Sequence, residues 1–274
     1  MNDFLGIVLS GGGARGIAHI GVLNALEENL ISPQFVSGAS MGAVVGVLYA
    51  AGKSPQEILE LFRHVKLLNL FHWKRPVLGL TDMFFLRKIL QKTIGNRGFE
   101  DLERKFYVSV SNLQTGEYEI IENGDLIESV VASGSIPMIF KPVELNGSLY
   151  VDGGLLNNLP VEPLLDVAKT IIGVSVVAHG NTEDKFDSVS DIAKRCFALS
   201  NWQNVQPRLS QCDIVIEPMN SAEHHIFDFK SANKIFEHGY TATMDKMTEI
   251  LRTLSLQKED YRVSMMKRML NDGR

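Results

Sequence analysis

Two cysteines in 274 residues, Cys196 and Cys212, are too few for a disulfide framework or a thiolate metal site. A reduced compartment fits that count. An excess of basic charge is missing too. Lys and Arg number 27 against 32 Asp and Glu, a formal net charge of −5. A nucleic-acid binder would carry a basic footprint instead, so no nucleic-acid partner is expected. The first residues, Met1-Asn2-Asp3-Phe4, lack the basic and apolar regions of a secretory leader. Residues 29 to 52 carry no charge and are long enough to span a bilayer. Ser32, Pro33, Gln34, Ser37, Gly38 and Ser40 interrupt them, however, which argues against a membrane helix. No repeat, low-complexity tract or linker divides the chain. The expectation is one domain over 1–274, in the cytoplasm or peripherally at a membrane, with a helical part over about 180–274. Glycine is almost absent from that last part, where only Gly239 and Gly273 follow residue 180.

Glycine is instead crowded at the other end. Ten of the 23 fall within the first 52 residues. Glycine costs conformational entropy on folding, so such a cluster needs a backbone reason. Leu5 to Leu9 reads as a short buried strand, and Ile20, Leu23, Leu26 and Leu30 mark a helix. Phe35-Val36 is a second strand. Met41, Val44, Val45 and Leu48 share a face of a second helix that runs to Ala51. Strand and helix alternating this way predict an α/β fold with a mostly parallel sheet. Further along, Ser54-Pro55 opens a third helix. Phe106–Val110 is a strand, and Asn146-Gly147 turns a hairpin between Val143–Leu145 and Leu149–Val151. Residues 171–177 and 213–216 read as strands, 188–209 and 230–254 as helices.

Three glycine-bearing motifs carry chemistry. Gly11-Gly12-Gly13-Ala14-Arg15-Gly16 follows a strand and opens a helix, so its backbone N–H groups suit a phosphate or an oxyanion. A dinucleotide reading needs an acidic residue at the end of the second strand, where this chain has Ser37-Gly38. Gly38-Ala39-Ser40-Met41-Gly42 is a G-x-S-x-G elbow, which exposes a serine hydroxyl at a helix N-terminus. Asp152-Gly153-Gly154 follows a hairpin strand. Alone it reads as a turn. Beside the elbow it supplies a carboxylate to a serine, and with free N–H donors that is a constellation for acyl transfer.

In series, and with Ser133-Gly134-Ser135-Ile136-Pro137 between the second and third, these motifs resemble the patatin-like phospholipase family in its compact bacterial branch. The resemblance covers about residues 5–177. It implies a three-layer α/β/α fold and hydrolysis of lipid acyl esters by a serine–aspartate dyad. Ser40 would be the nucleophile and Asp152 the base. Gly11, Gly12 and Gly13 would form the oxyanion hole, with Arg15 a motif residue at the substrate. Gly38, Gly42, Gly153 and Gly154 would shape the elbow and the aspartate turn. No metal or organic cofactor is implied. An acyltransferase sharing the acyl-enzyme, and a weakly active regulatory scaffold, are the alternatives.

Two features stand beside that reading. His179, His224, His225 and His238 all follow Asp152, so the order Ser, Asp, His of an α/β-hydrolase is present. In that fold the elbow follows several strands, whereas here it follows the second. His19 reads as a packed or surface residue. Residues 61–99 hold one acid, Asp82, among eight basic residues that include Lys74, Arg75, Arg87 and Lys88, with Phe62, Trp73, Phe84 and Phe85 interleaved. They read either as an interfacial cap for anionic lipid or as a packed helical subdomain.

Overall fold

The computed structural model describes residues 4–63, 81–177 and 186–256. It shows a three-layer α/β/α arrangement around an eight-stranded mixed sheet. β1 (Leu5–Leu9), β2 (Phe35–Ala39), β3 (Lys105–Asn112), β7 (Thr170–Val174) and β8 (Ile214–Ile216) run parallel in the order β3-β2-β1-β7-β8. β4 (Tyr118–Ile121), β5 (Val143–Leu145) and β6 (Ser148–Asp152) are antiparallel additions.

Strand alternation divides the core in two. Leu5, Ile7 and Leu9 of β1 enter the larger apolar cluster, with Phe106, Val108 and Val110 of β3. Helices α1 (Ala18–Glu28), α2 (Met41–Ala50), α3 (Pro55–Arg63), α4 (Phe84–Ile94), α5 (Leu126–Ser133) and α8 (Ala232–Asp245) contribute residues to the same cluster. On the other face, Val8 and Tyr107 pack with Leu164 of α6 (Glu162–Leu165) and Val205 of α7 (Val189–Leu209). α1 and α8 meet through reciprocal glycines. A methyl at Gly21 would lie 2.0 Å from the Phe236 carbonyl oxygen, and one at Gly239 1.9 Å from that of Ala18. The backbone contact explains Gly239, one of the two glycines after residue 180.

The register around β3 positions the site. β2 and β4 both pair with Val108 and Ser109, so they lie on opposite edges of β3. β6 overlaps β4 at Val110 and Ser111, which puts β6 on the β2 edge. β2 therefore leaves that edge at Ala39, opposite Ser109, and β6 arrives antiparallel with Asp152 opposite Val110.

Several elements depart from the pattern read in the sequence. The glycine loop opens into a 3₁₀ turn, Gly13–Ile17, before α1 begins. The strand read over 171–177 ends at Val174, and the helix read over 230–254 breaks at Lys246 before resuming over 247–256. β4 and α5 had no counterpart in that reading, whereas α4 falls within the 61–99 island read as a cap or a helical subdomain. Of the 61–99 island, residues 64–80, with Lys74, Arg75 and Trp73, lie outside the described residues, as does His179.

Candidate active site

Ser40 sits at the tight turn between β2 and α2, with φ 51° and ψ −122°. A non-glycine residue pays for such a conformation, which persists only when its surroundings enforce it. Gly38 and Gly42 permit it. A methyl on Gly38 would approach the Gly42 carbonyl at 2.6 Å, and one on Gly42 the Leu9 carbonyl oxygen at 2.2 Å. The turn aims the hydroxyl at the carboxylate across the break in the β3 edge. Ser40 Oγ donates to Asp152 Oδ2 at 2.7 Å. The other carboxylate oxygen accepts the Gly154 N–H at 2.7 Å.

Asp152 is 2% exposed. Burial pushes its carboxyl up to about 7, against the pull of the hydrogen bonds from Ser40 and Gly154. A carboxylate with that affinity for a proton is a far better base toward a hydroxyl than an exposed aspartate.

One short segment holds both residues. Ser133, the last residue of α5, donates its hydroxyl to the Ser109 carbonyl at 2.6 Å and accepts the Ser40 N–H at 2.9 Å. It fills the gap in the ladder where β2 has left β3. Two residues on, the Ser135 carbonyl accepts the Asp152 N–H at 2.9 Å. The sequence singled out Ser133–Pro137 as a motif without assigning it a task.

The glycine loop lies against the same turn, where a methyl on Gly11 would be 2.8 Å from Ser40 Cβ. Its entry is fixed on several sides. Ser10 N–H donates to the Val174 carbonyl, and the Ser10 carbonyl accepts from His19 Nε2 at 2.7 Å. The Gly11 N–H is already engaged by Asn158, at 3.0 Å to Oδ1 and 3.3 Å to the carbonyl oxygen. Gly11 thus anchors the loop. Among the described residues nothing accepts from the N–H groups of Gly12, Gly13 or Met41. Asn158 was missed in the sequence, as was Asn204 of α7. Asn204 accepts the Asn158 N–H at 2.8 Å and donates to the Gly154 carbonyl at 3.1 Å, tying the glycine loop to the aspartate turn. A buried asparagine in the apolar stretch Leu155–Pro160 was the available signal. Arg15 Nε donates to the His224 carbonyl at 2.7 Å.

No described histidine bonds Ser40 or Asp152. His19 is fully buried and its pKa falls to about 4 because burial penalises the imidazolium. His224 Nδ1 pairs with Asp228 at 2.8 Å instead.

An apolar cavity opens at Ser40. It is lined by Met41, Val44 and Leu48 of α2, by Phe85, Leu86 and Ile89 of α4, and by Ile226, Phe227 and Phe229, among others. Ser40 is the one residue with a polar side chain among its described lining. Part of the 61–99 island thus forms a wall of the cavity.

Comparison with known proteins places this arrangement. The sequence model described as "Patatin-like phospholipase" matches residues 7–165. Lysophospholipase NTE1 of Candida glabrata is 33% identical over 193 residues, 66% of this chain and 11% of that protein. The Saccharomyces cerevisiae protein of the same name gives the same figures. The chain spans about a tenth of the length of these curated relatives. Among solved structures, VipD from Legionella pneumophila shares the fold, with a TM-score of 0.60 and 17% identity, over 90% of this chain and 67% of that one. No helix among the described residues is long and apolar enough to cross a membrane.

Proposed function

The chain belongs to the patatin-like phospholipase family, and from that premise we propose that it is a serine hydrolase of lipid acyl esters working through Ser40 and Asp152. The observation that carries the reading is the 2.7 Å hydrogen bond from Ser40 Oγ to a buried carboxylate, with Ser40 on the wall of an apolar cavity. Such a cavity accepts a hydrocarbon chain and leaves the ester at its one polar residue.

In the first step Ser40 Oγ attacks the acyl carbonyl carbon while Asp152 Oδ2 takes the hydroxyl proton. The carbonyl oxygen becomes an oxyanion, facing the N–H groups of Gly12, Gly13 and Met41 and the positive end of α2. Collapse breaks the bond to the alcohol, which leaves with the proton from Asp152. Water then attacks the acyl-serine. Asp152 takes its proton, the fatty acid departs, and Ser40 recovers its hydrogen. Each proton taken by the carboxylate is returned within the cycle, so no histidine is required.

The rim of the cavity fits a lipid surface as the source of substrate. A strand-like bridge between Thr81 and Phe140 sets the start of α4 beside the 136–140 loop. Phe84 is 53% exposed there and Met138 64%, with Lys88 and Lys141 also exposed. Apolar side chains framed by lysines suit contact with anionic headgroups.

The test is a lipid panel assayed for released fatty acid, together with labelling by a fluorophosphonate. Wild type should release fatty acid and be labelled, and Ser40→Ala should do neither. Hydrolysis retained by Ser40→Ala would overturn the reading. Labelling without release to water, but with transfer to an added alcohol, would reassign the protein as an acyltransferase.

A further inference from the structure

The acyl cavity runs along α2. Met41, Val44 and Leu48, all on its wall, share one face of that helix at the spacing i, i+3, i+7. The helix begins at the residue after Ser40, so each wall position has a fixed distance from the reacting oxygen. At 1.5 Å per residue, Val44 lies about 6 Å and Leu48 about 12 Å along the axis from Ser40. Along this wall burial deepens away from the nucleophile end, from the half-buried Met41 to Val44 at 5% exposed and Leu48 at 1%. The closed end of the cavity is therefore the Leu48 end.

We propose that Leu48 is the stop of an acyl-chain ruler, with Phe62 and Phe229 beside it, so that the site selects chains of medium length. The proposal rests on the acyl-ester reading above and adds a length to it. Carbons joined by bonds of about 1.5 Å advance ~1.25 Å each in an extended chain, so 12 Å holds roughly ten carbons. A chain of that length fills the cavity from the ester carbonyl to Leu48. Each carbon up to that point removes one methylene from water. Each carbon beyond it must stay outside or displace a packed side chain, which costs as much as overpacking a core.

Two measurements test the stop. The first is hydrolysis of straight-chain esters from about four to sixteen carbons, read as the ratio of long-chain to four-carbon turnover within each protein. Because the ratio is internal, a partial loss of folded protein cancels. Wild type should peak near ten carbons. Leu48→Ala, and the milder Leu48→Val, should move the peak to longer chains. Val44→Phe should cut the ten-carbon ratio at least about tenfold and move the break toward five carbons, because Val44 stands one turn nearer Ser40.

The second measurement is binding of straight-chain primary alcohols to Ser40→Ala, which needs no turnover. Affinity should rise about fourfold per carbon and level off near ten, and the break should move with Leu48→Ala. A length profile that is flat in wild type, or unmoved by both Leu48→Ala and Val44→Phe, overturns the ruler even if esters are hydrolysed. Esters left intact while the alcohol break sits at ten carbons and shifts with Leu48 would sink the hydrolase reading and leave the ruler standing.

Discussion

Asp152 and Ala39 occupy neighbouring register positions on one edge of β3, opposite Val110 and Ser109. Their closeness is written in backbone hydrogen bonds rather than in the reach of flexible side chains. The residue after Ala39 is Ser40, so the hydroxyl and the carboxylate are set against each other by the same strand. A nucleophile and base placed by a shared ladder need little reorganisation before reaction, which is the form of preorganisation that lowers a barrier.

The pair makes a definite prediction for rate against pH. The carboxyl must be ionised to accept the Ser40 proton, and burial holds its pKa at about 7. The expected kcat/KM for ester hydrolysis therefore rises with pH through about 7 and flattens above it. An unperturbed aspartate would place that limb near 4. Asp152→Asn should lose at least about a thousandfold, near the upper range for a general base. His225→Ala and His238→Ala should stay close to wild type. A histidine completing a triad would instead cost about a millionfold when removed.

The same buried carboxyl bears on stability. Its folded pKa, about 7, lies above the usual aspartate value of 3.8. Between those limits the native state binds more protons than the unfolded chain, so the group's effect on stability worsens as pH rises from about 4 to 7. Above 7 the full cost applies, on the order of 4 kcal/mol. Asp152→Asn keeps an acceptor for the Gly154 N–H and cannot ionise. It should melt several degrees above wild type at pH 8 and lose that advantage toward pH 4. His19, held neutral with a pKa of about 4, acts in the opposite sense. Its contribution fades as pH falls from 6.5 toward 4, across much of the same window. The raw melting curve mixes the two, and the difference between variant and wild type separates Asp152. Equal melting temperatures at pH 8 would contradict a buried, charged Asp152.

What could be read from the chain and what could not divide along physical lines. β1, the glycine loop, the elbow and the Asn146-Gly147 hairpin are short and punctuated by glycine, so local sequence marks them. α5 and β4 are flanked by Gly116, Gly124, the N-cap Asp125 and the C-cap Gly134, but these turns mark only their ends, and their faces are set by packing on β3. The helix read over 230–254 has continuous periodicity across its break at Lys246, which therefore left no trace in the pattern. The close approach of Ser40 and Asp152 was suggested by motif order, whereas the duties of Ser133 and Asn158 were not. Those duties depend on where β2 leaves β3 and where the glycine loop lands, facts of register between segments 93 and 147 residues apart.

Ser133 invites its own test. Alanine there would leave the Ser40 N–H and the Ser109 carbonyl oxygen buried without the hydroxyl that joins them. Two unsatisfied groups cost about 2 to 4 kcal/mol together, a fall of roughly 5 to 15 °C in melting temperature for a domain of this size. Ser40 would also lose the bond that holds its strained turn. The expected signature is a larger fall in kcat than rise in KM, because the apolar cavity that binds the chain is not built on Ser133. A variant that melts and turns over like wild type would show the bridge to be idle.

Gly12 and Gly13 are adjacent, yet alanine should affect them unequally. Gly12 has an extended φ of 164°, and its new methyl would meet the Cγ2 of Val176 at 2.6 Å. That methyl belongs to a buried β-branched side chain, so relief falls on Val176, which must shift, rather than on the loop backbone. Gly13 has φ 59°, in the left-handed region that disfavours a side chain. Its methyl would lie 2.3 Å from the Ile226 carbonyl oxygen. That oxygen cannot retreat freely, because it also accepts the Ala14 N–H at 2.8 Å. Relief at Gly13 therefore requires the loop itself to move, and with it the donors facing Ser40. Gly13→Ala should lose about a hundredfold or more in kcat, the scale of a lost oxyanion donor. Gly12→Ala should lose less than about tenfold, because its donor stays in place. Kinetics of the two variants against one ester, at a pH above the Asp152 limb, measure the contrast. Equal losses would mean that the loop does not act through the position of its N–H groups.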